Sequence, residues 1–160
     1  MQVAFIDGFP GMPFYFNLSA PVGRGYPNAR TDDLALVQFC FAVGATGSAA
    51  NPVPRDLAGP WSQVRVTGRS DPATQGAIDA WQAFRRRKFG PAFETDGIVS
   101  VAATRSGSYA GRDTTYDIVH LNFVMLVATA SVWPRIDKAP QCPDALGAAV
   151  RQALSSHLTR

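Results

Sequence analysis

Apolar residues spaced three and four positions apart predict four helices in this chain. The first is predicted over about Thr31–Val43, with a cap at Thr31 or Asp32 and a stop at Gly44. Its apolar stripe consists of Leu34, Val37 and Phe41. A stripe of this kind is the face by which a helix packs on a core.

The second predicted helix, about Pro72–Lys88, has the most clearly marked start. Asp71 can accept a hydrogen bond from the free amides of the first turn, and Pro72 suits the first helical position, where no N–H is needed. The apolar face of this helix consists of Ala77, Ile78, Trp81 and Phe84. The pair Asp96-Gly97 then predicts a turn, because glycine adopts backbone conformations that other residues resist.

The third helix is predicted over about Thr115–Thr129, where Thr114 and Asp117 have capping-box spacing. This segment is apolar on nearly all sides, so it must be covered on more than one face. A fourth helix is predicted to begin near Pro143-Asp144. Its apolar residues are Leu146, Val150 and Leu154.

Shorter patterns predict extended segments. Two apolar runs within residues 1–20 flank a Gly/Pro-rich turn, which predicts two short strands or an extended arm that packs on the chain's own helices or on a neighbouring subunit. Gln63–Val66 alternates like a strand, and Ile98–Val101 is its expected partner. The link at about Ala45–Gln63 is long enough to be either functional or irregularly packed. We therefore expect a mainly α fold with a short β element.

Three groups of residues resemble the peptidoglycan-binding domain family, a small three-helix module that anchors bacterial and phage wall enzymes to murein. These groups are Val37-Gln38 on the first helix, Thr74, Ala77, Ile78, Trp81 and Gln82 on the second, and Asp96-Gly97-Ile98-Val99 after it. The resemblance covers roughly residues 21–130. It implies a three-helix domain over 21–130, with an N-terminal arm over 1–20 and a linker and helix over 131–160.

Composition places the chain among folded proteins of one domain. Of its 160 residues 46% are hydrophobic and 17% charged, and the net charge is +3. That charge is too small to indicate nucleic-acid binding by itself. The densest basic run, Arg85–Lys88, also complements a helix dipole and suits an exposed helix face, so a nucleic-acid partner is not expected.

No targeting or membrane segment is predicted. The first cation is Arg24 and no compact apolar region follows a basic start, so we expect synthesis in the cytoplasm without a signal peptide. The apolar stretch Ile118–Trp133 is too short to span a membrane. Cys40 is predicted to be a buried free thiol, and a bridge to Cys142 is not expected.

Gln38 and Gln82 each admit two interpretations. They are either ligand contacts or buried amides that hydrogen-bond loop backbone, and we favour the second because long loops leave many backbone groups to satisfy. The glycine-rich loop around residues 105–112 is the best candidate for a ligand site, through Arg105, Tyr109 and Arg112. Arginine can bind a carboxylate and tyrosine can stack on a sugar, which suits a muropeptide, although a protein contact or a solvated loop explains the residues equally well.

We predict no catalytic residue, no metal site and no cofactor. His120 lies on the apolar stripe of the third helix, and the zinc, nucleophile-elbow and phosphate-loop motifs are missing. Two functions remain. One is a non-catalytic module that binds peptidoglycan. The other is an assembly protein of a phage virion or a phage-like injection machine, which uses this fold for homo- or hetero-oligomeric contacts and associates with the virion or the cell envelope.

Overall fold

The computed structural model describes residues 1–7, 11–27, 29–47, 51–103, 108–110 and 116–158, and within these ranges the protein is mainly helical. The helices are α1 (Thr31–Gly44), α2 (Arg55–Ser62), α3 (Pro72–Phe89), α4 (Asp117–Ala128) and α5 (Asp144–Leu158), with a 3-10 turn at Ile136–Lys138. The strands are β1 (Gln2–Asp7), β2 (Phe14–Asn17), β3 (Val22–Gly23), β4 (Ile98–Val99) and β5 (Ser108–Ala110). One sheet has the order β2-β1-β5, and the other pairs β3 with β4.

Helix α1 forms the centre of the core. It packs against α2, α4, α5 and β3. The stripe predicted for it is therefore too narrow, since Leu36, Phe39 and Cys40 are fully buried as well. A helix enclosed by neighbours on all sides has no polar face, which explains why its apolar residues exceed the predicted stripe.

The start of α1 also differs from the prediction. Arg30 is the N-cap residue and makes no side-chain capping bond, so the cap predicted at Thr31 or Asp32 is wrong. The buried Asp33 carboxylate instead accepts hydrogen bonds from the backbone N–H groups of Ser19 (3.0 and 3.1 Å) and Ala20 (3.0 Å), and the Met1 amino group lies 2.9 Å from it. This carboxylate thus ties the preceding chain to α1.

Helix α3 starts as predicted. Asp71 accepts a hydrogen bond from the Thr74 N–H at 2.8 Å, and Pro72 occupies the first turn. The helix ends at Phe89, one residue later than predicted, and Trp81 lies in the core. The cap predicted for α4 at Thr114 lies outside the described residues.

The described residues of the N-terminal segment, 1–7 and 11–20, pack on the chain's own helices. Strands β1 and β2 are antiparallel, β2 contacts α4, and β1 contacts α5. Asn122 of α4 bonds both backbone groups of Phe16, accepting from its N–H at 2.8 Å and donating to its C=O at 2.9 Å. Because β2 lies at an edge of its sheet, this amide occupies part of the place that another strand would fill.

The segment Gln63–Val66 is not a strand, contrary to the prediction. It follows α2 directly, with the Val64 N–H bonded to the Trp61 C=O at 3.2 Å. The strand Ile98–Val99 pairs instead with Val22–Gly23. An alternation of polar and apolar residues over only four positions did not distinguish a strand from the segment that follows a helix.

Two stretches predicted as loops contain regular structure. The link between α1 and α3 includes α2, despite Gly59 and Pro60 within it. Its Leu57 and Trp61 are buried, so tertiary packing outweighs the weak helix propensity. The strand β5 lies within the predicted loop around residues 105–112, and pairs in parallel with Phe5–Asp7.

In the part of the chain that the structure describes, no helix combines the length and apolar character needed to cross a lipid bilayer.

Candidate functional site

A buried cluster around Gln38 joins α1 to the start of α3. The Gln38 carbonyl oxygen accepts hydrogen bonds from the N–H groups of Thr67 at 2.9 Å and Gly68 at 2.8 Å. Its nitrogen lies 2.8 Å from the Arg69 C=O, 2.9 Å from the Thr74 hydroxyl and 3.1 Å from a carboxylate oxygen of Asp71. A fully buried amide with this many partners holds the loop onto the helix.

A second cluster around Gln82 joins α3 to the start of α4. The Gln82 carbonyl oxygen accepts from the Gly97 N–H at 2.8 Å. Its nitrogen lies 2.9 Å from the Ile98 C=O, 2.8 Å from an Asp117 carboxylate oxygen and 3.2 Å from an Asp96 carboxylate oxygen. Asp96 also accepts from the Ile98 N–H at 2.9 Å, which closes the predicted turn.

The two clusters repeat one arrangement. In each, a buried glutamine accepts from the N–H of a glycine with positive φ, +66° at Gly68 and +77° at Gly97. Each glutamine also lies close to an aspartate at the start of a later helix, Asp71 at α3 and Asp117 at α4. A Cβ at Gly97 would lie 2.8 Å from the side-chain nitrogen of Gln75, which is the end of a flexible side chain and can move, so it is the positive φ that favours glycine here. The polar residues singled out by the sequence resemblance therefore lie in the joints between α1, α3 and α4, whereas most of its apolar residues lie in the core.

A buried ion pair extends the second cluster. Arg85 is 1% exposed and donates to the Asp117 carboxylate, and its guanidinium lies 4.2 Å from the centre of the Phe93 ring. Burial raises the pKa of Asp117, against the opposing effects of Arg85 and Gln82, and burial likewise lowers the pKa of Arg85. The interpretation of Arg85–Lys88 as a wholly solvated run is therefore wrong for its first residue.

A polar pocket of about 160 Å³ opens beside this cluster. Its lining consists of Glu94, Ile98, Ser100, Tyr116 and Asp117. Two carboxyl groups, a serine and a tyrosine suit a ligand rich in amide, amine or hydroxyl donors. Asp117 already bonds Gln82 and Arg85, so its main role at the pocket wall is structural.

The predicted ligand residues are only partly within the described chain. Arg105 and Arg112 lie outside the described residues, and Tyr109 lies in β5, where its backbone pairs with Ile6. Among the described residues, no three His, Cys, Asp or Glu side chains are grouped so that they could hold a metal ion.

Sequence reasoning missed several polar residues that the structure buries. Asn17 bonds both the N–H and the C=O of Ala102, at 3.0 and 2.8 Å, in the same way that Asn122 bonds Phe16. Asp33, Arg85 and Asp117 are buried as well. The available signal was a lone polar residue inside an apolar run, as at Asn122.

No protein-family model, curated protein or solved structure matches this chain.

Proposed function

We propose that this protein is a non-catalytic module that binds bacterial peptidoglycan, and that α1, α3 and α4 are the three helices of a peptidoglycan-binding-like core. The repeated glutamine cluster carries this proposal. Gln38, Asp71 and Thr74 form the first joint, while Gln82 and Gly97 belong to the second. Gln38, Thr74, Gln82 and Gly97 are among the residues that resemble the family's motif, and their contacts give each a structural reason for being there.

The polar pocket beside the second cluster is the proposed start of the ligand surface. It lies next to the Asp96-Gly97 turn, and the chain continues from Ser100 at its wall towards the candidate residues Arg105, Tyr109 and Arg112. Murein offers amides, hydroxyls and amines to carboxylates such as Glu94, and carboxylates to arginines. A carboxylate for the amides and amines of murein, and arginines for its carboxylates, thus lie within one stretch of the sequence.

Co-sedimentation with purified peptidoglycan sacculi tests the proposal. We expect the wild-type protein to sediment with sacculi at low and moderate salt, and the triple variant R105Q/Y109A/R112Q to remain largely in the supernatant. The matched control R55Q/R69Q removes the same charge from two exposed arginines outside the pocket lining. Wild-type protein that stays in the supernatant would refute wall binding, and equal losses in both variants would refute the assignment to these residues.

An assembly role is the second candidate, supported by an aromatic surface patch. Phe5 is 42% exposed and its ring centre lies 4.6 Å from that of His157, while Phe14 stacks on Trp133 at 6.2 Å. Surface aromatic groups of this kind are enriched in protein interfaces. Under this alternative, sedimentation-velocity analysis shows a concentration-dependent oligomer that F5A weakens, whereas a monomer at high concentration contradicts it.

A further inference from the structure

A second cleft, separate from the polar pocket, lies where the ends of α1 and α2 meet the segment before α5. Its volume is about 340 Å³, which is the size of a small-molecule site. Ala42, Trp61, Val64 and Val66 supply an apolar wall, and Arg65 and Gln141 add polar groups at its edge. Among the described residues that line it there is no aspartate or glutamate.

Arg65 is held in place by the backbone. Its Nη1 donates to the C=O groups of Ser62 at 3.0 Å and Val64 at 3.2 Å, at the C-terminal end of α2. These bonds use Nη1, and none of the hydrogen bonds found among the described residues uses the edge formed by Nε and Nη2. That edge is the one that binds a carboxylate with two parallel hydrogen bonds.

We propose that this cleft binds the terminal carboxylate of a short peptide with small apolar side chains, with Arg65 on the carboxylate, Gln141 on the peptide amide and the apolar wall against the side chains. The positive edge and the lack of acidic lining favour an anionic group over a cationic one. The inference rests on the proposed function for the origin of this peptide, because the peptide stems of murein carry alanine side chains and free carboxylates.

Titration with N-acetyl-alanyl-alanine, in its D and L forms, tests the site by NMR chemical-shift perturbation into the millimolar range. We expect shifts centred on the cleft, at least about tenfold weaker binding of the C-terminal amide, and a similar loss in R65Q, because a charge-assisted bond is removed in each case. The variant A42F fills the cleft and is expected to abolish binding.

Arg86 offers a matched control. Its Nη1 also bonds two backbone C=O groups, those of Pro91 and Phe93, yet it lies outside the cleft. R86Q is therefore expected to bind the dipeptide as the wild type does. An equal loss in R65Q and R86Q, equal affinity for acid and amide, or no binding of either form overturns the proposal.

The same variants separate this inference from wall binding. If the protein binds sacculi but not the dipeptide, the cleft is not a carboxylate site and the proposed function is unaffected. If the protein binds the dipeptide but not sacculi, the cleft is a carboxylate site whose natural ligand is not murein.

Discussion

Replacing Gln82 by methionine is the most direct test of the joint between α3 and α4. Methionine has a similar volume, so the substitution removes hydrogen bonds with little change in packing. Gln82 is 1% exposed and satisfies the buried Gly97 N–H, the Ile98 C=O and an oxygen of Asp117. The Asp117 carboxylate keeps its bond to Arg85, so Q82M leaves the Gly97 N–H and the Ile98 C=O unsatisfied. At about 1–3 kcal/mol for each of these two groups, we expect the free energy of unfolding to fall by about 2–6 kcal/mol.

Urea denaturation followed by circular dichroism measures this change. Q152M serves as the control, because Gln152 is exposed on α5 and its substitution should cost less than about 0.5 kcal/mol. A loss below about 1 kcal/mol for Q82M would refute the view that Gln82 is a structural joint.

The variant Q82E sharpens the same experiment. Glutamate keeps an acceptor for the Gly97 N–H but places an ionised oxygen near the Asp117 carboxylate. We therefore expect Q82E to be less stable than Q82M at neutral pH, and the difference to shrink in acid, where a protonated carboxyl can donate as the amide does. A difference that is independent of pH would contradict this reasoning.

Three further predictions concern other buried groups. The substitution N122L leaves the Phe16 N–H and C=O without their partner, and we expect a loss of about 2–4 kcal/mol in urea denaturation; a neutral result would contradict the role of Asn122 at the edge of β2. A hydrogen bond from Arg135 lowers the pKa of Asp137 below its ordinary 3.8. The ionised carboxylate therefore stabilises the fold above pH 3.8, and this stability is lost as the pH falls through the folded-state pKa. Thermal melting should show that D137N is less stable than the wild type above pH 3.8 and that the difference disappears in acid. Burial raises the pKa of the Cys40 thiol far above its usual value and that of Cys142 to about 11, so alkylation followed by mass spectrometry should label the half-buried Cys142 first and Cys40 only on unfolding; early labelling of Cys40 would contradict its burial.

Features set by a few neighbouring residues could be predicted. Asp71 and Pro72 mark the start of α3, and Asp96-Gly97 marks its turn, because capping and turn geometry depend on atoms only a few positions apart. The helical periods likewise located both ends of α1 and α3, and the start of α5, to within a residue or two.

Features that depend on distant segments could not be predicted. The helix α2 exists because Leu57 and Trp61 are buried, although Gly59 and Pro60 locally disfavour it. The partner of Ile98–Val99 is Val22–Gly23, more than seventy residues earlier, and no local pattern specifies that choice.

The sequence by itself determined that Gln38 and Gln82 each follow an apolar residue on a helix, and the long loops around them suggested buried amides that bond loop backbone. Only the tertiary structure decided which atoms they bind, because the Gln38 partners lie about thirty residues away and Asp117 lies thirty-five residues beyond Gln82. It also decided that Arg85 is buried, since pairing with Asp117 offsets the cost of removing its charge from water. Local spacing orients a side chain, whereas its partners are set by which segments the folded core brings together.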